Sequence, residues 1–374
     1  MKSFKIIISV VLILLLFSGC SDASNNLKDL SIVEGMGIDL KDEEVVITVQ
    51  TLNLSKEGFG AEALSGNITM NSEGSGRNIS EAIARVKERL SKELFFGQNR
   101  LIVFGMNMAK NYINKNLDYL LRSADSRMDV SVCIAEKEAS EIMESKENEA
   151  LVPSASITSL LELGEKSGFA VNVTTNELLN VYLDKTSDMY FPVISAGEKS
   201  ASVVGVAIYS GNELAKVLDK NSTYGFLFLS NKISYGVLNV ENEEFGKIGL
   251  NIISSLTKTR TSVENGRVVF HADVKSQLMI DAMEHGLINS ITRENLYEIK
   301  ELAEEMISSY CQNAFLDCVQ SKSDCLRIGE SLAMFSPNNY AKLSDDWKNV
   351  LPTAVIDLNV DCEFKKINEN SKGN

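Results

Sequence analysis

The chain has 374 residues, with 37 basic against 51 acidic side chains and 44% hydrophobic content. That apolar share belongs to a folded globular protein, and the length suggests two or three domains. A net charge of −14 argues against nucleic-acid binding and against broad adhesion to anionic lipid headgroups, since both need a positive surface.

Residues 1–19 read as a secretory signal peptide. Lys2 and Lys5 charge the start, Ile6 to Phe17 is apolar except for Ser9, and Ser18-Gly19-Cys20 follows. A cysteine directly after Ser-Gly is the pattern of a lipoprotein leader, so Cys20 is the expected lipidation site, its thiol carrying a diacylglycerol. The apolar run is about a dozen residues, whereas a spanning helix needs roughly 20, which favours a cleaved leader over a signal anchor. Two acyl chains anchor stably, because each buried methylene is worth about 0.8 kcal/mol. Removing Lys2 and Lys5 takes the net charge from −14 to −16. No second spanning segment is visible, so the body is expected outside the membrane, tethered at its N-terminus.

The mature chain divides into an N-terminal α/β domain (20–135), a middle domain (136–200), a C-terminal α/β domain (201–367) and a polar, disordered tail (368–374). In the first, Ile32 to Leu54 predicts a hairpin through Lys41-Asp42-Glu43-Glu44. Ala61 to Met70 adds a strand that Glu73-Gly74-Ser75-Gly76 is expected to break. Ile79, Ala82, Ile83, Val86 and Leu90 fall at helical spacing, with Asn78 as cap and Glu81 reaching back to free amides. Leu101 to Phe104 is a strand, Asn107 to Arg122 a helix, Val130 to Ala135 a strand and Ala139 to Glu144 a short helix.

In the middle, Ile157 to Leu163 and Asn176 to Leu183 read as helices. Tyr190 to Ile194 is extended, with Pro192 marking an edge or end. The preferred boundary is Gly197-Glu198-Lys199-Ser200. Beyond it, Val203 to Tyr209, Gly225 to Leu229 and Ile233 to Val240 read as strands. Ile248 to Thr261 and Arg267 to Leu278 continue the β pattern. A long helix from about Arg293 to Ser321 buries Leu296, Ile299, Leu302, Ala303, Met306, Tyr310, Ala314 and Cys318. A helix from Asp324 to Met334 stops before Pro337, and Ala354 to Ile367 is a closing strand. The fold class is therefore α+β: a multi-domain mixed α/β lipoprotein, its C-terminal domain an antiparallel sheet packed with a long helix.

No catalytic, metal or cofactor site is predicted. His271 and His285 lie far apart and lack zinc-ligand spacing. Lipidation of Cys20 leaves Cys133, Cys311, Cys318, Cys325 and Cys362, an odd and uneven set that is no disulfide framework. Cys311, Cys318 and Cys325 recur every seven residues, but a helix break is expected near Ser323, and core packing is the favoured reading. Gly74-Ser75-Gly76 lacks both a P-loop lysine and the dinucleotide pattern, and reads as a turn.

Several segments resemble the Ger(x)C family, the C-subunit lipoproteins of bacterial spore germinant receptors. Leu30 to Asp39 is similar to the family's opening segment with its Gly-Ile-Asp, here Gly37-Ile38-Asp39. Ile79 to Ala84 and Leu94-Phe95-Phe96-Gly97-Gln98 follow, with Gln98 where histidine is common. Gly205 to Tyr209 and Tyr224 to Phe228 resemble the second conserved region, with Phe228 in place of a frequent tryptophan. The Asp324 segment, Trp347 and Leu351-Pro352 resemble the family's ending. Ser21-Asp22 stands where Trp-Asp is usual.

The resemblance implies three mixed α/β domains without enzymatic activity, on the outer face of the spore inner membrane. The implied partners are the integral membrane A and B subunits of the receptor. It names neither the germinant nor whether this subunit binds it. The alternative is an extracytoplasmic solute-binding lipoprotein, which needs a concave pocket. An extracellular hydrolase is disfavoured by the scarcity of histidine.

Overall fold

The computed structural model describes residues 29–52, 68–111, 113, 116, 119, 127–144, 152–184, 186–197, 200–286 and 291–365. The leader, Cys20, most of Ala61 to Met70, much of Asn107 to Arg122 and the tail 368–374 lie outside the described residues. The chain is α+β, with two sheets and helices packed between and around them.

The first sheet begins with the expected hairpin, β1 (Leu30–Lys41) and β2 (Glu44–Leu52). Asp42 and Glu43 take positive φ at its turn. β3 (Thr69–Gly76) pairs with β2 as far as Gly76, so the glycines expected to break the strand lie inside it. Their role is close approach. A Cβ on Gly74 would sit 2.5 Å from the Ala82 carbonyl oxygen of α1 (Ile79–Lys87), the helix lying across the strand. Asn78 caps α1 by accepting the Glu81 amide at 2.9 Å. The Glu81 carboxylate takes the Arg77 amide rather than closing a box on Asn78.

β4 (Glu93–Phe95) joins the start of β1 in parallel. β5 (Leu101–Phe104) and β6 (Ser131–Ala135) then line up parallel to β1. Both are buried along their whole length, the pattern of strands covered on two faces. On one face Leu101, Val103, Cys133 and Ala135 meet α3 (Ala139–Glu144) and α4 (Pro153–Lys166). On the other, Ile102, Phe104, Val132 and Ile134 join Met108 and Ala109 of α2 (Met106–Asn111).

After β7 (Val173–Thr174) and α5 (Thr175–Leu183), β8 (Tyr190–Ser195) runs between β6 and β9 (Ser202–Ser210), with β10 (Glu213–Leu218) outermost. Pro192 therefore lies in an interior strand, not at an edge. It is tolerated because the pairing of β8 with β6 spans only Val193 and Ile194. The boundary expected at 197–200 falls between β8 and β9, which are hydrogen-bonded neighbours, so the first sheet continues across it.

Gly225 to Leu229, expected as a strand, is the end of helix α6 (Lys220–Leu229), started by the Asp219 side chain accepting the Ser222 amide at 2.8 Å. The run is apolar throughout because Gly225 to Leu229 are all buried. Gly225 lets α6 press on the long helix α7 (Arg293–Gln320): a Cβ there would collide with the Tyr310 carbonyl oxygen.

The second sheet has the order β11 (Gly236–Asn242), β12 (Gly246–Glu264), β13 (Arg267–Met283) and β14 (Val355–Phe364). β12 and β13 turn through Asn265-Gly266, both at positive φ, the residue pair that suits a tight hairpin. A bulge between Ile252 and Ser254 switches the buried face of β12 from Ile248, Leu250 and Ile252 to Thr257 and Thr261. β14 pairs parallel to β13, so this sheet is mixed rather than wholly antiparallel. The reason is α7: a crossover helix between two strands of one sheet returns the chain in the same direction. α7 buries Ile299, Ala303, Ile307, Cys311, Ala314 and Cys318, and Phe315 stacks on Phe270 with centroids 5.9 Å apart. The helix expected from Asp324 starts later, as α8 (Ile328–Phe335), followed by α9 (Pro337–Leu343) and α10 (Trp347–Val350).

Candidate functional site

The residues that most resemble a family motif are engaged in holding the fold. In β1, Gly35 and Gly37 face α4 and α3; a Cβ on Gly35 would lie 2.6 Å from that of Ser154. Asp39 is buried, and its two carboxylate oxygens accept the Ala139 and Ser140 amides at 2.7 and 3.0 Å. These are the first amides of α3, so the carboxylate both caps the helix and meets the positive end of its dipole. Burial still pushes the Asp39 carboxyl above its ordinary range, outweighing the two bonds. At the other end of α3, Gln50 donates to the Met143 carbonyl at 2.9 Å. Its oxygen accepts the Ser154 amide and hydroxyl at 3.0 and 2.8 Å.

A second polar cluster ties the first sheet to the segment after α7 and to helices α8 and α10. Asp188, just before β8, accepts the Gly211 amide at 2.7 Å with one oxygen and the Asp324 amide at 2.7 Å with the other. Asp324 accepts the Ile328 and Gly329 amides at 2.7 and 2.8 Å, completing the start of α8, and the Trp347 indole N–H at 2.8 Å. Burial raises its carboxyl to about 7 against the pull of those donors, with Asp188 adding to the rise. The cluster borders a depression of about 330 Å³ that also touches Lys322, Asp345 and Lys348.

Lys232 makes another tie. It reaches Glu165 on α4 at 2.9 Å and Glu177 on α5 at 3.1 Å. Its burial acts to lower its pKa, but Tyr190 and the two carboxylates outweigh that and hold the ammonium above its ordinary value.

His271 lies on the outer face of the second sheet. Its Nδ1 is 2.8 Å from Asp357 on β14, and its Nε2 is 2.9 Å from the Ser262 hydroxyl and 3.1 Å from Glu264 on β12. The order serine, histidine, aspartate is that of a nucleophile relay, but the Ser262 hydroxyl is also 2.8 Å from the Glu264 carboxylate. That second acceptor competes with histidine for the hydroxyl proton. The histidine is thus fully partnered within the sheet, and the arrangement links three strands. Cys133, Cys311, Cys318, Cys325 and Cys362 are all buried and free. Burial raises the Cys133 and Cys311 thiols, and takes Cys362 to about 12, which keeps them protonated and unreactive. Among the described residues no group of three or more His, Cys, Asp or Glu could hold a metal ion.

Comparison with known proteins decides the family. The family described as "Spore germination protein N-terminal domain" matches residues 23–196, and "Spore germination B3/ GerAC like, C-terminal" matches residues 204–368. The chain belongs to the Ger(x)C family of spore germination proteins. Spore germination protein KC of Bacillus subtilis is 23% identical over 97% of this chain and 96% of its own. Spore germination protein B3 of the same organism is 21% identical over 96% of each. The crystal structure of the GerBC protein shares the fold, with a TM-score of 0.60 at 16% identity, covering 91% of this chain and all of that one.

The structure gives the family's segments physical roles. Gly37-Ile38-Asp39 seats and caps α3. Tyr209, at the end of the Gly205 segment, is buried and donates its hydroxyl to the Ala109 carbonyl at 2.9 Å. Phe228 fills the core, and Trp347 donates to Asp324. Cys20, the expected lipidation site, lies outside the described residues. The Asp188–Asp324 cluster was missed, and nothing in a local pattern reveals it, since its members are 136 residues apart.

Proposed function

We propose that the chain is a membrane-anchored lipoprotein subunit of a nutrient germinant receptor, held by diacylglycerol on Cys20 at the outer face of the spore inner membrane. There it sits beside integral membrane A and B subunits and works without catalysis, through its surface. The observation that carries this reading is family membership along nearly the whole chain, beginning at residue 23, directly behind the Ser18-Gly19-Cys20 signal. Among the described residues no helix is long and apolar enough to cross a membrane, and attachment through Cys20 needs none. The well-partnered state of His271 and the buried, protonated thiols of Cys133, Cys311 and Cys362 also support a body that binds rather than catalyses.

The test is affinity purification from dormant-spore membranes, comparing the native chain with Cys20→Ala. The native chain is expected to bring down multi-spanning membrane proteins, and the variant to lose them along with nutrient-triggered germination. Normal germination with a soluble Cys20→Ala protein contradicts the reading. Ligand-dependent thermal stabilisation of a protein that purifies alone would instead favour a solute-binding lipoprotein.

A further inference from the structure

Two of the five buried cysteines among the described residues are neighbours. α7 ends in a turn in which the Ser323 amide donates to the Cys318 carbonyl at 2.9 Å and the Lys322 amide to the Val319 carbonyl at 3.0 Å. Lys322 takes the left-handed conformation, φ 56°. This pairing of bonds around a left-handed residue is a Schellman turn, which reverses the chain at a helix end. The reversal carries Cys325 back over the last turn of the helix, and its sulfur lies 3.3 Å from that of Cys318. Both side chains are buried, at 0% and 3% exposure.

We propose that Cys318 and Cys325 are a disulfide-forming pair that locks the end of α7 to the segment carrying Asp324. The sulfurs need to close by only about 1.3 Å to reach the roughly 2.05 Å of a disulfide. Metal binding does not explain the pair, because no third ligand joins it among the described residues. The oxidant is a second disulfide, on a small molecule or on a thiol–disulfide oxidoreductase. The Cys325 thiolate attacks it, forming a mixed disulfide and releasing one thiol. The Cys318 thiolate then attacks the Cys325 sulfur and expels the other thiol. The pair loses two electrons and two protons, and the donor disulfide is reduced to two thiols.

In the folded chain the Cys318 thiol is held well above its ordinary value, first by its bond to Cys325 and then by burial. Exchange is therefore slow once the core has closed, and the bond forms while the chain folds. Persistence of the bond in native protein rests on the export reading of the leader, because disulfides survive in oxidising compartments. Its formation does not. The consequence is local: the linked segment holds Asp324, whose amide reaches Asp188 beside the first sheet and whose carboxylate holds the start of α8.

The test uses the full chain in the Cys20→Ala background, which removes the competing thiol. The chain is refolded in glutathione redox buffer, denatured without reduction, alkylated and peptide-mapped. A Cys318–Cys325 linked peptide, about 2 Da lighter than the sum of its reduced parts, is expected, with Cys133, Cys311 and Cys362 alkylated. The linked form should lose roughly 3 °C of melting temperature on addition of dithiothreitol, and Cys325→Ser should show no such shift. Alkylation of Cys318 and Cys325 as complete as that of Cys311 overturns the proposal, as does a linked peptide that pairs either with another cysteine. Protein isolated from spore membranes separates the two readings. A bond that forms on refolding but is absent there counts against the exported location and leaves the pair intact.

Discussion

The two sheets bury their surfaces differently, and that difference is what the sequence pattern records. The first sheet is covered on both faces, so its central strands β5 and β6 are unbroken buried runs. It spends polar groups inside: Asp39 and Gln50 are buried and hold helix α3 and the start of α4. The second sheet is covered on one face by α6 and α7. Its strand β13 alternates, with Val268, Phe270, Ala272, Val274 and Leu278 inward, while His271, Asp273 and Lys275 face outward. Yet one apolar cluster runs from Val33 in β1 to Cys362 in β14, so the two sheets share a core.

The largest expected effect tests whether that shared core makes one cooperative unit. Phe270→Ala removes a fully buried ring stacked on Phe315 and should cost about 4 kcal/mol. Fluorescence of the single tryptophan, Trp347 at the joint, and far-ultraviolet circular dichroism should report one coincident transition. Two separated transitions would break the comparison by showing independent sheets. Gly225→Ala comes next. Its Cβ meets backbone on α7, and relief requires moving a helix, so about 3 kcal/mol is expected in urea unfolding. In the first sheet, Asp39→Ala leaves two amides of α3 without acceptors and should cost about 2 kcal/mol in the same measurement. A value near zero would mean that α3 is held by packing alone.

The pH dependence sharpens the role of the joint. The Asp324 carboxyl is near 7 when folded and near 3.8 in a free chain. The folded state therefore holds the proton more tightly over that interval. Its contribution is complete below about pH 4 and is lost as pH rises through about 7. Asp39 is shifted in the same direction. The urea midpoint should fall between pH 5 and pH 8, the unfolding free energy dropping by an amount on the order of 2 kcal/mol, and Asp324→Asn should flatten that part of the slope. A midpoint that rises over the same interval would contradict the assignment. The smallest effect is a gain. Lys322→Gly relieves a left-handed backbone and should add roughly 0.5–1 kcal/mol.

Much of the fold was legible in local pattern. The β1–β2 hairpin and the Asn78 cap follow from alternation and capping chemistry, while helical spacing places Ile299, Ala303, Ala314 and Cys318 in the buried stripe of α7 but picks half-buried Leu296, Leu302, Met306 and Tyr310 over Ile307, Cys311, Phe315 and Val319. Helix α6 was misread because a short run buried all round looks the same as a buried strand; the capping aspartate Asp219 was the signal that separates them. Gly74 and Gly76 were read as breakers because a sequence does not show the helix that needs their missing side chains. Asn265-Gly266 is a hairpin signal legible in the sequence itself. The Cys318–Cys325 contact was hidden because the reversing residue is Lys322 rather than the glycine that usually marks such a turn. The Asp188–Asp324 joint depends on tertiary contact alone.

The claim on which the functional account stands is the acyl group on Cys20, and mass spectrometry of the N-terminal peptide from native spore membranes measures it directly. The account predicts a chain that begins at Cys20 and carries diacylglycerol on its sulfur. An unacylated Cys20, or a chain that retains residues 1–19, would contradict it.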